Sequence, residues 1–184
     1  MRLLPAMLAR TQRILAGIEL FALALWVGGL FFLLAFAGPA LRLLFPDDKD
    51  QVWRIMDAFY AKFGALEPIF AVVVLASNFL KLVVFRGMNE MQRVAVMISA
   101  VMLTVAVFST YQVRPMIEEK RGSIPTLNHP NVNSADEILK FEKMRSRFEV
   151  FMMGNLVLGL FMVYAYRTFE ERKLQAITKI LKAP

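Results

Sequence analysis

Residues Ile14 to Phe36 read ILAGIELFALALWVGGLFFLLAF. A single ionisable side chain, Glu19, interrupts the run, and about 20 predominantly apolar residues suffice to cross the hydrocarbon core of a bilayer. The stretch therefore reads as a transmembrane helix, and the remainder of the chain as its partner. Gly38-Pro39 predicts a break where the run ends. Arg2, Arg10 and Arg13 ahead of the run, with Ala35-Phe36-Ala37 at its end, imitate a cleavable signal. Signal cores run only roughly 7 to 15 residues, and here a glutamate sits inside the apolar stretch.

Composition agrees with a small helical membrane protein. The 184 residues are 58% hydrophobic and contain no cysteine, and the mean hydropathy is +0.52, too apolar for an ordinary soluble domain. The missing thiols exclude disulfides, thiolate metal sites, a cysteine nucleophile and covalent c-type haem. A formal charge of +7 could suggest nucleic acid, but Lys and Arg lie beside apolar runs and no basic cluster carries interleaved aromatics. The charge reads instead as attraction to anionic lipid.

Working outward, Met1 to Arg13 suits a short amphipathic lead-in at the headgroups. After Pro46, the acids Asp47, Asp48 and Asp50 mark a solvated turn. Val52, Trp53, Ile55, Met56, Phe59, Tyr60 and Phe63 then recur at helical spacing, which predicts a separate interfacial helix. The second span is expected over 65–85, opened by Glu67-Pro68, and the third over 94–113, ended by Arg114-Pro115. An extended loop, rich in Pro, Asn and Gly, covers 121–134. Ser134-Ala135-Asp136-Glu137 then reads as a capping box for a helix that projects beyond the bilayer before becoming the fourth span, 148–169. A basic amphipathic tail, 170–182, is expected to lie on the surface. The fold class is thus all-α: one four-span bundle over residues 1–184, with amphipathic interfacial helices and an extramembrane extension of the fourth helix.

Four spans put both termini on one side. Lys and Arg are equally numerous on the two sides, so loop length decides: the positive-inside effect acts through short segments, and those of the termini side are nearly undiluted by acids. Both termini are expected in the cytoplasm, in a bacterial inner membrane.

Ionisable groups inside spans cost roughly 2.5 to 3.5 kcal/mol each unless paired or hydrated, so function would concentrate there. Glu67, Ala71, Val74, Asn78 and Lys81 follow one line of the second span, and Glu19, Ala22, Trp26, Gly29 and Leu33 line one face of the first. These faces read either as a polar track for protons, ions or headgroups, or as interhelical glue. Depth predicts that Glu19 pairs with Lys81, directly or through Asn78, and that Glu67 pairs with Arg114 at the opposite interface. Trp26-Val27-Gly28-Gly29 reads first as a packing element and second as a contact for a ring or lipid tail. The 12 methionines are scattered, so core filling competes with copper binding. The one histidine, His129, excludes bis-His haem and a His-based metal triad within one chain.

The segment Leu25-Trp26-Val27-Gly28-Gly29-Leu30-Phe31-Phe32 running into Ala37-Gly38-Pro39-Ala40-Leu41, with Arg114-Pro115 and the fourth-span Asn155, resembles the small four-helix membrane family of unknown function related to transmembrane protein 205. Members of that family often carry a histidine and a serine where this chain has Phe148 and Phe151. The Trp-x-Gly-Gly-Leu element is also similar to the first helix of copper-resistance D-type proteins and membrane protoporphyrinogen oxidases. Those have a histidine where this chain has Glu19. No residue cluster commands an enzyme reading, and the chain reads as a non-enzymatic membrane protein: an accessory subunit, or a handler of small solutes or lipids, in a homo-oligomer or larger membrane complex. Its partners are membrane lipids and other membrane subunits, not nucleic acid, and no cofactor is expected. The competing reading is a porphyrin-, haem- or copper-handling protein. The candidate intramembrane polar site is Glu19, Trp26, Asn78, Lys81, Glu67, Arg114 and Asn155.

Overall fold

The computed structural model describes the backbone of residues 3–84, 90–128 and 135–182, with side chains for 10–83, 92–128 and 135–166. The helices are α1 (Leu3–Phe31), α2 (Gly38–Leu44), α3 (Lys49–Val84), α4 (Glu90–Phe108), α5 (Arg114–Gly122) and α6 (Ala135–Lys182), with π-helical turns at Phe32–Ala37 and Ser109–Val113. They combine into four segments long and apolar enough to cross a membrane: Arg10–Leu44, Lys49–Val83, Gln92–Gly122 and Ala135–Tyr166. Helix α3 packs against α1 and α4, and α6 closes the bundle against both. The chain is therefore an all-α four-helix membrane bundle.

Each segment is longer than the span expected from sequence, because the predicted breaks are not breaks. A proline inside a helix loses its own hydrogen bond and presses on the carbonyl four residues back. Ahead of Pro39 and again ahead of Pro115 the chain widens into a π-helical turn, and each proline then falls in the first turn of the next helix, where its missing N–H is harmless. The helix thus continues through Gly38-Pro39 and through Arg114-Pro115. The lead-in is likewise continuous with α1 from Leu3 onward, and α6 runs unbroken through the tail to Lys182.

Pro68 was expected in the first turn of its span but lies deep inside the 36 residues of α3. It leaves the Gly64 carbonyl without a backbone donor. The Thr110 hydroxyl, from the π turn of the neighbouring segment, supplies one at 3.4 Å. Gly64 is where that approach happens: a Cβ there would stand 3.3 Å from Thr110 Oγ1.

The aromatic stretch 52–63 is therefore no separate interfacial helix; it is the first half of α3. Trp53 meets Phe141 edge-on at 4.9 Å, and Tyr60 meets Phe148 at 5.3 Å, so α3 and α6 run alongside each other well past the hydrocarbon. Phe148 is buried and Phe151 lies against Phe108 at 5.7 Å, so these positions do packing work. A segment of 35 residues is about 52 Å long, against about 30 Å of hydrocarbon. The surplus lies at the end that carries α2, α5 and the start of α6.

That end is clamped. Asp48 accepts the Gln51 amide at 2.9 Å, capping α3, and the Asn128 side chain at 3.1 Å. The Asn128 hydrogen bond, with the Gln51 amide, holds the Asp48 carboxyl below the usual carboxylate range. Asp50 is not solvated as its acidic neighbourhood suggests. It is buried, ion-paired with Arg121, and accepts the Thr126 hydroxyl at 2.6 Å and the Leu127 amide at 3.1 Å. The predicted loop thus holds a clamp over 123–128, whereas Ser134 of the predicted capping box and His129 lie outside the described residues.

Candidate functional site

Among the described residues, two polar clusters occupy the bundle interior. The first gathers Glu19 from α1, Asn78 and Lys81 from α3, Ser99 from α4 and Tyr166 from α6. Lys81 Nζ donates to Glu19 Oε2. Asn78 Nδ2 donates to Glu19 Oε1 at 2.7 Å and lies 3.3 Å from Ser99 Oγ. Lys81 also reaches the Tyr166 hydroxyl at 3.3 Å and stands 5.0 Å over its ring. Glu19 is 1% exposed and Lys81 6%, so of the two versions predicted the direct pair is formed, with Asn78 as a second donor to Glu19. Sequence reasoning missed Ser99 and Tyr166. A lone serine in the apolar run of α4 was the available signal for the first, since a buried hydroxyl needs partners.

The second cluster is built on Glu67. Its Oε1 accepts Trp26 Nε1 at 3.0 Å and Asn155 Nδ2 at 3.0 Å. Asn155 Nδ2 also faces the Met102 carbonyl at 3.4 Å. Glu67, Trp26 and Asn155 are all buried. The expected Glu67–Arg114 pair is not made. Arg114 binds Glu118 at 2.5 Å and Asp57 at 3.4 Å, and Asp57 lies three helical turns from Glu67 on α3. The error was one of depth: because α3 starts at Lys49, Glu67 does not open a span. It stands level with Trp26, near the middle of the first one.

The clusters do not join into a track. Glu67 and Asn78 are about 16 Å apart along α3, and Ala71, Val74 and Met102 between them are fully buried, with Leu23 beside them. In Trp26-Val27-Gly28-Gly29, Gly29 is where α1 and α3 approach: a Cβ there would enter the Phe63 ring, whereas Gly28 faces open space. Trp26 spends its N–H on Glu67, as buried indoles require a partner.

A third site lies about 21 Å along α3 from Glu67, near Trp53, beyond half the hydrocarbon thickness and so at headgroup level. A cavity of about 440 Å³ opens between the turn after α2 and the start of α6. Val52, Leu127 and Phe141 line its apolar side, and Arg42 and Lys49 its basic side. Glu142 and the Arg145–Glu149 pair, 3.1 Å apart, complete it. Among the described residues no carboxylate pairs with Arg42 or Lys49. Neither was singled out from sequence, because only the fold brings α2 and the start of α3 to one cavity with α6.

No group of His, Asp or Glu side chains that could hold a metal occurs among the described residues. Neither the curated proteins nor the solved structures yield a match to the chain. The model of a family described as a domain of unknown function, DUF4149, matches residues 21–122. That match takes in the C-terminal part of α1, from residue 21 and including Trp26, and all of α2, α3, α4 and α5. It exceeds half of the chain, which therefore belongs to the DUF4149 family.

Proposed function

We propose that this integral membrane protein is non-enzymatic and handles an anionic small solute or lipid headgroup at the membrane surface, working in a homo-oligomer or as an accessory subunit of a larger membrane complex. The observation that carries the reading is the headgroup-level cavity of about 440 Å³. Its apolar side suits acyl carbon, and the cations Arg42 and Lys49 suit a phosphate. Tight packing of the apolar layer around Ala71 and Val74 argues against a path through the bundle and favours action at this surface. We place the chain in a bacterial inner membrane with both termini cytoplasmic, so that the cavity faces the opposite side. Kinship with the family around transmembrane protein 205 belongs to this proposal and rests on Trp26-Val27-Gly28-Gly29 and Asn155.

The test is native mass spectrometry of protein purified in mild detergent, with phosphatidylglycerol, phosphatidylethanolamine or inorganic phosphate added. Retention of phosphatidylglycerol over phosphatidylethanolamine, lost in the Arg42→Gln/Lys49→Gln double variant, supports lipid handling; retention of phosphate alone supports a solute. Equal retention by the double variant overturns the reading. A Soret band or stoichiometric copper in the same preparation would replace it with porphyrin or metal handling. Orientation is checked separately by labelling Ser123→Cys and Ala183→Cys in sealed cells with an impermeant reagent; labelling of Ala183→Cys alone reverses it.

A further inference from the structure

The two interior carboxyl groups are treated oppositely by the fold. Glu19 faces an ammonium. Glu67 does not: the side chains that contact it from α1 and α6 are Trp26 and Asn155, both neutral, and the group that α4 brings to the cluster is the Met102 carbonyl. Both donors end on one carboxyl oxygen, Oε1. Meanwhile Asn155 Oδ1, on the other arm of the same amide, is fully buried and accepts nothing. An amide turned the other way would set its oxygen against both Glu67 and the Met102 carbonyl, so the orientation is fixed by its surroundings.

An ionised Glu67 would leave two defects at mid-bilayer depth: a full charge with no counter-ion among the described residues, and a buried carbonyl with no donor. One proton removes both. A carboxylic acid and a primary amide are complementary, since the amide N–H donates to the acid carbonyl while the acid O–H donates to the amide carbonyl. The first of these bonds is already present at 3.0 Å. Trp26, by donating to Oε1 as well, leaves Oε2 as the oxygen that carries hydrogen.

We propose that Glu67 and Asn155 form a buried proton-binding site, with Glu67 Oε2–H donating to Asn155 Oδ1 and Trp26 Nε1–H selecting which oxygen is protonated. The site holds a neutral acid, while Glu19 in the other cluster remains a charged partner of Lys81.

Infrared difference spectroscopy of the full chain in lipid nanodiscs at neutral pH tests this. The carbonyl stretch of a protonated carboxylic acid, identified by its shift in deuterium oxide, should be present, vanish in Glu67→Gln and survive in Glu19→Gln. Asn155→Leu should shift that band upward, because the acid loses its amide acceptor. Glutamine reproduces the shape and donors of the protonated acid, so the unfolding equilibrium of Glu67→Gln should stay within about threefold of the parent. Absence of any band removed by Glu67→Gln overturns the proposal. So does a Glu67→Gln chain that fails to fold or unfolds more than about tenfold more readily.

Discussion

Replacing Glu19 by glutamine should be among the most damaging single changes available in this chain. The substitution keeps the acceptor for Asn78 Nδ2, which lies 2.7 Å from Glu19 Oε1, and removes only the charge. What remains is Lys81, its side chain 8% exposed, with no anion. Breaking a buried pair from one side costs about 3 to 5 kcal/mol. The Tyr166 hydroxyl at 3.3 Å and its ring at 5.0 Å still solvate the ammonium, and cation–π contact contributes about 1 kcal/mol. A net loss of about 3 kcal/mol follows, or roughly two orders of magnitude in the unfolding equilibrium. Adding Lys81→Met should recover about 2 kcal/mol of it, since removing both members leaves no stranded charge. The assay is reversible unfolding in mixed micelles, with all four corners of the double-mutant cycle measured. A Glu19→Gln variant within about 0.5 kcal/mol of the parent, or a double variant no better than the single one, would refute the reasoning.

Three further outcomes are expected. Thr110→Val should destabilise by about 1 kcal/mol by stranding the Gly64 carbonyl beside Pro68, while Thr110→Ser should not; a Val variant as stable as the Ser variant counts against that hydrogen bond. Gly29→Ala forces the Phe63 ring to move and should cost about 1 to 3 kcal/mol, whereas Gly28→Ala, with open space before it, should be nearly neutral; thermal unfolding of the two purified variants decides. Asp48 has a lowered carboxyl pKa in the folded chain, so its share of stability is present above the unfolded value and lost as pH falls through the folded one; hydrogen exchange at Gln51 should quicken in that acidic window, and Asn128→Ala should shift the window upward.

The four crossing segments were legible because apolar runs of sufficient length leave little alternative in a bilayer, and so was the Glu19–Lys81 pair, because depth along two antiparallel helices is arithmetic. The proline positions were misread for a physical reason. Gly38-Pro39 and Arg114-Pro115 carry the local signal of a helix end, yet a π turn costs less than ending a helix where its neighbours can continue packing. That misreading carried into the candidate site, since starting the second span at residue 65 set Glu67 at an interface and handed it Arg114. Trp26 held the corrective signal: an indole buried at mid-span must aim its N–H at an acceptor, and of the carboxylates on α3, Asp50, Asp57 and Glu67, Glu67 is the one at that depth. The headgroup-level cavity was beyond reach, because Arg42 and Arg145 come to line one cavity only through tertiary packing.

The first cluster also sets a schedule. Glu19 and Lys81 are 62 residues apart in sequence, and a ribosome adding roughly 5 to 20 residues per second needs several seconds to deliver the second after the first. Through that interval the leading helix carries an acid with no counter-ion, at roughly 2.5 to 3.5 kcal/mol if it enters lipid alone. The leading helix therefore gains its stable seat only when α3 arrives. On that arithmetic the insertion of α1 and α3 is coupled as a hairpin, and a chain stalled before Lys81 carries an unpaired glutamate inside α1.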